Sequence, residues 1–503
     1  MNHTLGRSEG RRNRERMMQI EWQQLQSTEA DAYDGVQVEI SGWWTALDPG
    51  VPADYGLMAP ELSCCNGGAP GNPLSTIEVW LGEPHALHGR FLTLTGRWHT
   101  LTDDPAGWRY QLRDARPVPA PVASPVTALT PASLSLLGRL SRRSFLASGA
   151  LLGLAACSPG RFSAYTEAPS TESVSAALPA GSVTIDIHSH AGRVIVSRNP
   201  EIGAQRPFVP VAAAMTQGGM HVICLAIVTD SWVTRLSSDR KRFEAFRPVE
   251  PGELYGLANI EFKRAADIVE RDRLNVVLDA AGLRAAPHIG PSVIISAEGA
   301  DFLEGQLDLV DEAYRLHHLR HLQLTHYRVN ELGDIQTEAP VHGGLSDFGA
   351  DVVRRCNTLG VVVDVAHGTY DLVKRAAAVS SKPLVLSHTS LADHPGPRSR
   401  QISADHARVI AGTGGVIGVW PNANVFADLN AMAEGVRQLA EVVGVEHVGL
   451  GSDMLGFVDP PVFNNYRQLP QYASALQAAG FTRDEVGQIL GGNYLRVFEA
   501  SLA

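Results

Sequence analysis

Two histidines, His188 and His190, stand two residues apart at the end of an apolar run that begins at Val183. Side chains two apart on a β-strand point to the same face, so these imidazoles could bind one metal ion together. Gly192 and Arg193 follow and predict that the strand ends there. The pattern therefore predicts a metal site at the C-terminal tip of a strand.

Further histidines and carboxylates stand where other predicted strands end. They are Glu298, His326, His367, His388 and Asp453. Taken singly, each is more often an ordinary structural residue. Six predicted strands that all end in His, Glu or Asp are difficult to obtain by chance. Since (β/α)₈ enzymes build their active sites from the ends of different strands, we expect these side chains to meet.

The elements that must position them lie in residues 181–503, where apolar strands alternate with stretches of helical period. Examples of the helical stretches are Phe348–Leu359 and Tyr370–Ala378. The predicted strands are Val183–His188, His221–Val228, Ser292–Ala297, Leu322–Thr325, Val361–Ala366, Leu384–Ser387, Gly415–Val419 and His447–Ser452. This alternation predicts an α/β fold, a (β/α)₈ TIM-like barrel.

Imidazole and carboxylate ligands suit zinc and similar divalent ions. The predicted ligands are His188, His190, Glu298, His367 and His388. They are too many for one tetrahedral catalytic zinc, and they suit two ions about 3.5–4 Å apart with a bridging Glu298. Asp453 is then the expected acid/base or ammonium partner, and His326 is suited to stabilise an oxyanion.

Residues 181–503 also resemble the membrane (renal-type) dipeptidase family, a branch of the metal-dependent amidohydrolase barrels. The stretches that carry the resemblance are Ile295–Ala300, Leu322–Asn330, Gly344–Gly349, Asp364–His367, Leu386–Ser390, Gly451–Asp453 and Gly491–Phe498. The resemblance implies two zinc ions and a dipeptide substrate. It implies that His188 binds the first metal, that Glu298 bridges, and that His367 and His388 bind the second.

The resemblance also implies a substrate role for His326, a catalytic role for Asp453, and an arginine that contacts the substrate's carboxylate. Arg400 fits that arginine best, with Arg398 as a rival. Family members often dimerise, so a homodimer is one expectation. The family pattern D-x-H-x-D is broken here, because His190 occupies the last position. We expect a weaker or altered metal preference from this change.

Two other functions stay open at this stage. One is a hydrolase of another small amide or a lactone, since the same barrel serves many substrates. The other is a lipid-anchored binding protein that has lost turnover. The net charge of -11 argues against a nucleic-acid partner. No run of about 20 apolar residues predicts an ordinary transmembrane helix.

At 503 residues the chain should contain two or more domains. Residues 1–18 predict a disordered basic tail, and residues 19–117 a small all-β domain. The latter weakly resembles OB-like exported domains of unknown function that open with an Ile-x-Trp segment. In this chain the segment is Ile20-Glu21-Trp22. The adjacent Cys64 and Cys65 favour a tight loop over a metal or haem site. Residues 118–140 and 158–180 are predicted linkers.

Residues 141–157 resemble a twin-arginine export signal with a lipoprotein box. Arg142 and Arg143 precede a short apolar run, which ends at Cys157. This order predicts an exported bacterial lipoprotein, anchored to the membrane through a lipid at Cys157. A buried helix at a domain junction is the alternative. Such signals normally open a chain, so either translation starts near residue 139 or a cytoplasmic domain precedes the signal.

Overall fold

The computed structural model describes residues 18–46, 53–60, 76–87, 89–101, 109–118, 178–196, 208–237, 242–456 and 461–503. Several predictions fall on residues outside these ranges. They are the basic tail apart from Met18, the Cys64–Cys65 pair, nearly all of both predicted linkers, and the signal-like segment with Cys157.

The amino-terminal part, here called the β-domain, is a closed mixed sheet. Its strands are Met18–Gln19 (β1), Gln37–Ala46 (β2), Ala53–Ala59 (β3), Ile77–His85 (β4), Arg90–Thr100 (β5) and Tyr110–Pro117 (β6). Buried and less buried residues alternate along β2, which places Val38, Ile40 and Trp44 in the core. The sheet runs β2-β3-β4-β6-β5 and closes where β5 pairs with β2. Among these pairs only β4 with β6 is parallel.

The second sheet has eight parallel strands in chain order and nearly closes into a barrel. They are Ile185–Ser189 (β7), Val222–Val228 (β8), Ser292–Glu298 (β12), Leu319–Gln323 (β13), Val362–Asp364 (β14), Val385–Thr389 (β15), Val416–Val419 (β16) and Val448–Leu450 (β17). Short strands Thr234–Leu236 (β9), Phe243–Ala245 (β10) and Asn275–Val276 (β11) accompany it. The last and first strands meet through two hydrogen bonds, from the amide of His190 to Met454 (2.9 Å) and from that of Asp453 to His188 (3.0 Å).

Each predicted barrel strand has a counterpart, with one clear shift. The fourth begins at Leu319 and ends at Gln323, where Leu322–Thr325 was predicted. The chain leaves the sheet after Gln323 because side-chain amides take the next carbonyls. Asn330 donates to the carbonyl of Leu324 at 3.0 Å, and Gln323 donates to that of Thr325 at 2.8 Å.

Amphipathic helices pack around the parallel strands. In chain order the described α-helices are Trp22–Gln26 (α1), Ala212–Gly218 (α2), Glu253–Asp272 (α3), Ala280–Ile289 (α4), Asp308–Leu316 (α5), Asp347–Leu359 (α6), Tyr370–Val379 (α7), Ala404–Gly412 (α8), Leu429–Val443 (α9), Leu469–Ala478 (α10), Arg483–Gly487 (α11) and Asn493–Leu502 (α12). The two predicted helices correspond to α6 and α7. Ser346 and Thr369 cap them by accepting from backbone amides of their first turns. Within the described part of the chain, no helix has the length and apolar character needed to cross a membrane.

Candidate metal centre

The carboxylate of Glu298, at the end of β12, lies at the centre of a buried ring of imidazoles. Its Oε1 is 3.4 Å from Nε2 of His188, 3.2 Å from Nε2 of His367 and 3.3 Å from Nε2 of His388. Its Oε2 is 3.0 Å from Nε2 of His190 and 3.3 Å from Nε2 of His326. The fold therefore brings together all five predicted ligands, with His326 beside them.

Second hydrogen bonds on several rings orient them toward this centre. Nδ1 of His190 donates to the carbonyl of Ala226 at 2.7 Å, and Nδ1 of His326 donates to Oδ1 of Asp230 at 2.8 Å. Nδ1 of His388 bonds with the hydroxyl of Ser387 at 2.8 Å. A ring whose Nδ1 carries the proton presents a lone pair at Nε2, which is how histidine ligands are fixed in metal sites.

The donor set fits metal ions. Three groups of side chains offer ligand atoms within 4.8 Å of one another: His188 with His190 and Asp453, His188 with Glu298 and His388, and Glu298 with His326 and His367. Nε2 of His188 lies 3.3 Å from Nε2 of His190, and Nε2 of His367 lies 3.1 Å from Nε2 of His388. Nitrogen lone pairs this close repel one another unless a proton or a cation lies between them.

The protein's own charges divide the ligands into two kinds. Burial, then the charge of Arg400, holds the pKa of His367 well below its usual value, and burial with neighbouring His188 does the same for His388. Burial also lowers the pKa of His190, but Asp453 and Glu298 outweigh it and raise the pKa to about 10. If these side chains bind a metal, His367 and His388 would do so as neutral rings, whereas His190 would release a proton.

Two site residues have a left-handed backbone. His367 has φ 66° and Asp453 has φ 48°. For residues other than glycine this conformation costs of order 1–3 kcal/mol, and such strain is concentrated at functional sites. The amide of Asp453 donates to the carbonyl of His188, which holds the turn after β17 against β7.

Sequence reasoning did not assign roles to two buried aspartates that join the ligand-bearing strands. Oδ1 of Asp186 accepts from the amides of Ser452 (2.8 Å) and His188 (3.3 Å), so it links the first and last strands. Asp364 links two neighbouring strands in the same way. Its Oδ1 accepts from the amides of Ala366 (2.9 Å) and Ser387 (3.1 Å), each of which directly precedes a predicted ligand.

Asp364 is itself held from the interior of the barrel. Its Oδ2 accepts from Nε2 of His321 at 3.2 Å, and Nδ1 of His321 lies 2.8 Å from the hydroxyl of Tyr494. Tyr494 lies in the first turn of the carboxy-terminal helix α12 and also accepts from the thiol of Cys224 at 3.3 Å. A buried polar chain therefore connects that helix to the backbone on which His367 and His388 stand.

Asp230 is another residue of the site to which the sequence interpretation assigned no role. It lies two residues after the end of β8, and its two oxygens accept from His326 Nδ1 and, at 2.9 Å, from the amide of Tyr327. Its position beyond a predicted strand was the signal that could have identified it. One cleft is lined by Asp230, His326, Glu298 and Asp453, among other residues.

The two predicted arginines differ in position. Arg398 is exposed. Arg400 is half-buried, donates through Nη1 to Oε1 of Gln336 at 2.7 Å, and lies 5.6 Å from the ring centre of Trp420. Burial lowers the pKa of Arg400, which nevertheless remains a cation because the ordinary value is so high. The guanidinium is thus held on the side of the site formed by the turn after β15.

Comparison with known proteins identifies the family. The sequence profile of the membrane dipeptidase family (peptidase family M19) matches residues 249–502. The chain belongs to the membrane dipeptidase family. The matched part contains Glu298, His326, His367, His388, Arg400 and Asp453, whereas His188 and His190 precede it.

Two curated relatives are named dipeptidases. The chain is 29% identical to the dipeptidase aclJ of Aspergillus oryzae over 271 residues, which are 50% of this chain and 64% of the relative. It is 28% identical to the dipeptidase verJ of Clonostachys rogersoniana over 216 residues, which are 41% of this chain and 54% of the relative. The chain thus spans less than two thirds of the curated relatives' length.

Solved structures support the fold. A metallopeptidase from Rhodobacter sphaeroides, solved with a phosphinate mimic of the dipeptide L-Ala-D-Ala, is 21% identical with a TM-score of 0.54. That likeness covers 64% of this chain and 99% of the metallopeptidase. The probable dipeptidase PvdM from Pseudomonas aeruginosa is 17% identical with a TM-score of 0.52, over 64% of this chain and 95% of PvdM.

The buried aspartates of this family member give a testable expectation. Replacing Asp364 by alanine should weaken zinc affinity about 10–100-fold, because the amides that fix the strands before His367 and His388 lose their acceptor. Competition with a chelator measures the affinity. Asp272→Ala is the matched control, since Asp272 also accepts from two backbone amides, those of Val211 and Ala212. Equal zinc affinity in the two variants would contradict the assigned role.

Proposed function

We propose that the chain is a dipeptidase that uses two zinc ions to hydrolyse the peptide bond of dipeptides. The observation that carries this proposal is the carboxylate of Glu298, which has imidazole nitrogens on both of its oxygens. His188 and His190 would hold one ion, and His367 and His388 the other. When bound, such a pair supplies an activated hydroxide and polarises the scissile carbonyl.

Asp453 is placed to move protons at this site. Its Oδ1 lies 3.4 Å from Nε2 of His190, and the carboxylate borders the cleft. Its strained backbone fixes where that carboxylate can reach. We assign it the transfer of a proton to the leaving amine, or the binding of the substrate's ammonium group.

His326 is suited to stabilise negative charge on the substrate. Burial lowers the pKa of His326, but Asp230 and Glu298 raise it more, so that the net shift is upward. An imidazolium held by Asp230 can donate from Nε2 to a developing oxyanion. The same group lies within reach of Glu298, and a role as a third ligand on that side is the competing assignment.

Arg400 is the proposed anchor for the free carboxylate of the dipeptide. Gln336 and the carbonyl of His388 engage its two terminal nitrogens, at 2.7 Å and 3.5 Å. These contacts orient the planar group, and a guanidinium so oriented can bind a carboxylate through two parallel hydrogen bonds. The dipeptide-mimic complex of the Rhodobacter sphaeroides neighbour favours a substrate of this size.

Two alternatives remain weaker. A hydrolase of another small amide or a lactone would use the same metals, but it would not need Arg400 for a terminal carboxylate. An inactive lipid-anchored binding protein would need no assembled ligand set.

We further propose that the β-domain is OB-like, that the protein is exported with a lipid on Cys157, and that it forms a homodimer.

The direct test replaces Glu298 by glutamine in the full chain. We expect the zinc content to fall below two ions per chain, and hydrolysis of a dipeptide panel that includes L-Ala-D-Ala to fall at least about 100-fold. Elemental analysis and product release measure the two effects. Glu441→Gln, at an exposed position on α9, is the control. Two zinc ions with no dipeptide turnover in the unchanged chain would favour the amide or lactone hydrolase.

Arg400→Lys should raise KM for dipeptides about 10–100-fold, because a charge-assisted bidentate contact becomes a single point charge. Little change is expected for the same dipeptides with an amidated C-terminus, which lack the carboxylate. The exposed Arg398→Lys is the matched control. An equal effect on free and amidated substrates would show that Arg400 does not read the carboxylate.

His190→Asp restores the family's carboxylate and should change metal preference. Carboxylates favour manganese more than imidazoles do, so we expect the zinc-over-manganese preference to fall about 10-fold or more. Dissociation constants for the two ions, measured by competition, give the ratio. His394→Asp makes the same change of charge at an exposed position. An unaltered ratio in His190→Asp would remove His190 from the ligand set.

A further inference from the structure

The loop Ala191–Val196 links the metal centre to the surface that faces the β-domain. It begins directly after His190, and its Ile195 lines the same cleft as His190, Glu298 and Asp453. The loop is buried along its whole length. It contains two successive left-handed residues, Gly192 at φ 76° and Arg193 at φ 58°. At Arg193, unlike at a glycine, this conformation is strained, and it persists only where its surroundings hold it.

The side chain of Arg193 enters the β-domain. Its Nη1 lies 3.1 Å from Oε1 of Glu78 on β4 and donates to the hydroxyl of Tyr55 on β3. The hydroxyl of Tyr55 donates to the same Glu78 oxygen at 2.5 Å. Gln111 on β6 donates to the other oxygen of Glu78 at 2.8 Å. We name these four residues the Arg193 cluster.

The Arg193 cluster is fully buried, and burial determines what its ion pair contributes to the structure. Glu78 is 0% exposed and Arg193 only 4%. A buried ion pair adds little net stability compared with apolar residues, because both ions must be desolvated. A buried ion pair does, however, restrict conformation, since any arrangement that separates the partners leaves an unpaired charge inside the protein. Pairing with Glu78 therefore restricts the side chain of Arg193 to few conformations, and it restricts the loop in the same way.

The barrel holds the same loop from the other side, but through its backbone. Nε of Arg264 donates to the carbonyl of Arg193 at 2.8 Å, and the amide of Val196 donates to Glu261 at 2.8 Å. His190 has its own support in the carbonyl of Ala226. Loss of the Arg193 cluster should therefore make the loop that carries Ile195 more mobile, while the proposed metal ligands are disturbed less.

We propose that the β-domain is a positioning element of the hydrolytic site, which fixes the Ala191–Val196 wall of the substrate cleft through the Arg193 cluster. Arg193, Tyr55 and Glu78 act through Ile195, and they do not touch the reacting atoms. The catalytic half of this proposal rests on the proposed dipeptidase function. The structural half, the hold on the loop, does not.

The test uses the full chain with Tyr55→Phe and Glu78→Gln. Tyr55→Phe removes one hydroxyl and keeps the ion pair, so it decides the matter if Glu78→Gln does not fold. Asp31→Asn is the matched control, because Asp31 pairs with Arg109 and Tyr110 inside the β-domain and has no part in the Arg193 cluster. Hydrogen exchange of the peptide that spans Ala191–Val196 reports the loop, and dipeptide kinetics report the site.

We expect exchange of that peptide to become at least about 10-fold faster in both cluster variants, as loss of one hydrogen bond to a charged group implies. Because the loop touches the cleft only through Ile195, the accompanying rise in KM should be smaller, about 3–10-fold. The kcat and the zinc content should match those of the unchanged chain, and Asp31→Asn should behave like the unchanged chain in every respect.

Exchange that stays slow in both variants overturns the proposal. Faster exchange with unchanged KM also overturns it, because the cluster would then only join two domains. If the unchanged chain hydrolyses no dipeptide, the proposed function fails, and the exchange rates still decide whether the β-domain holds the loop.

Discussion

One buried carboxylate governs the arrangement of this molecule. Glu298 is 2% exposed, and burial alone would push its pKa upward. The surrounding imidazoles outweigh burial and hold the pKa of Glu298 well below its usual value. An ionised carboxylate in such a place needs polar partners on both oxygens, because a buried charge that is neither paired nor hydrogen-bonded is very costly. The ends of strands β7, β12, β14 and β15 must therefore converge to within hydrogen-bonding distance.

That convergence is maintained by a second layer of charge. Asp186 and Asp364 each accept two backbone amides, one from their own strand and one from a neighbouring strand that leads to a site residue. Parallel strands otherwise set their relative height only through the ladder, and here that ladder is irregular. The register shifts between Asp186 and Ser189, and again between Leu386 and Thr389. The aspartates replace the lost ladder contacts at the points where the ligands project.

The sequence predicted the barrel because each buried strand is a short apolar run that ends in a polar residue, a pattern set by local periodicity. It predicted the site because the tips of parallel strands must share one edge. It could not assign Asp186 or Asp364, because their role depends on which backbone amides lie opposite, and this is a matter of register. The reasoning about His190 was incomplete, because it relied on the alternation of side chains along a strand. Strand β7 ends at Ser189, and a turn beyond the strand brings His190 to the centre.

The Arg193 cluster was beyond sequence reasoning for a different reason. Glu78 and Arg193 are separated by 115 positions, and nothing local distinguishes either from a surface charge. It also lies in the part of the chain that the family profile leaves unmatched, together with strand β7 and His190. His190 and the loop that follows it are adjacent in space but are held by different parts of the chain. The carbonyl of Ala226 supports the ring of His190, whereas Glu78 of the β-domain holds the side chain of Arg193 in the loop. Because the two supports are separate, changes at His190 and at Glu78 should alter different properties, the proposed metal preference and the proposed substrate fit.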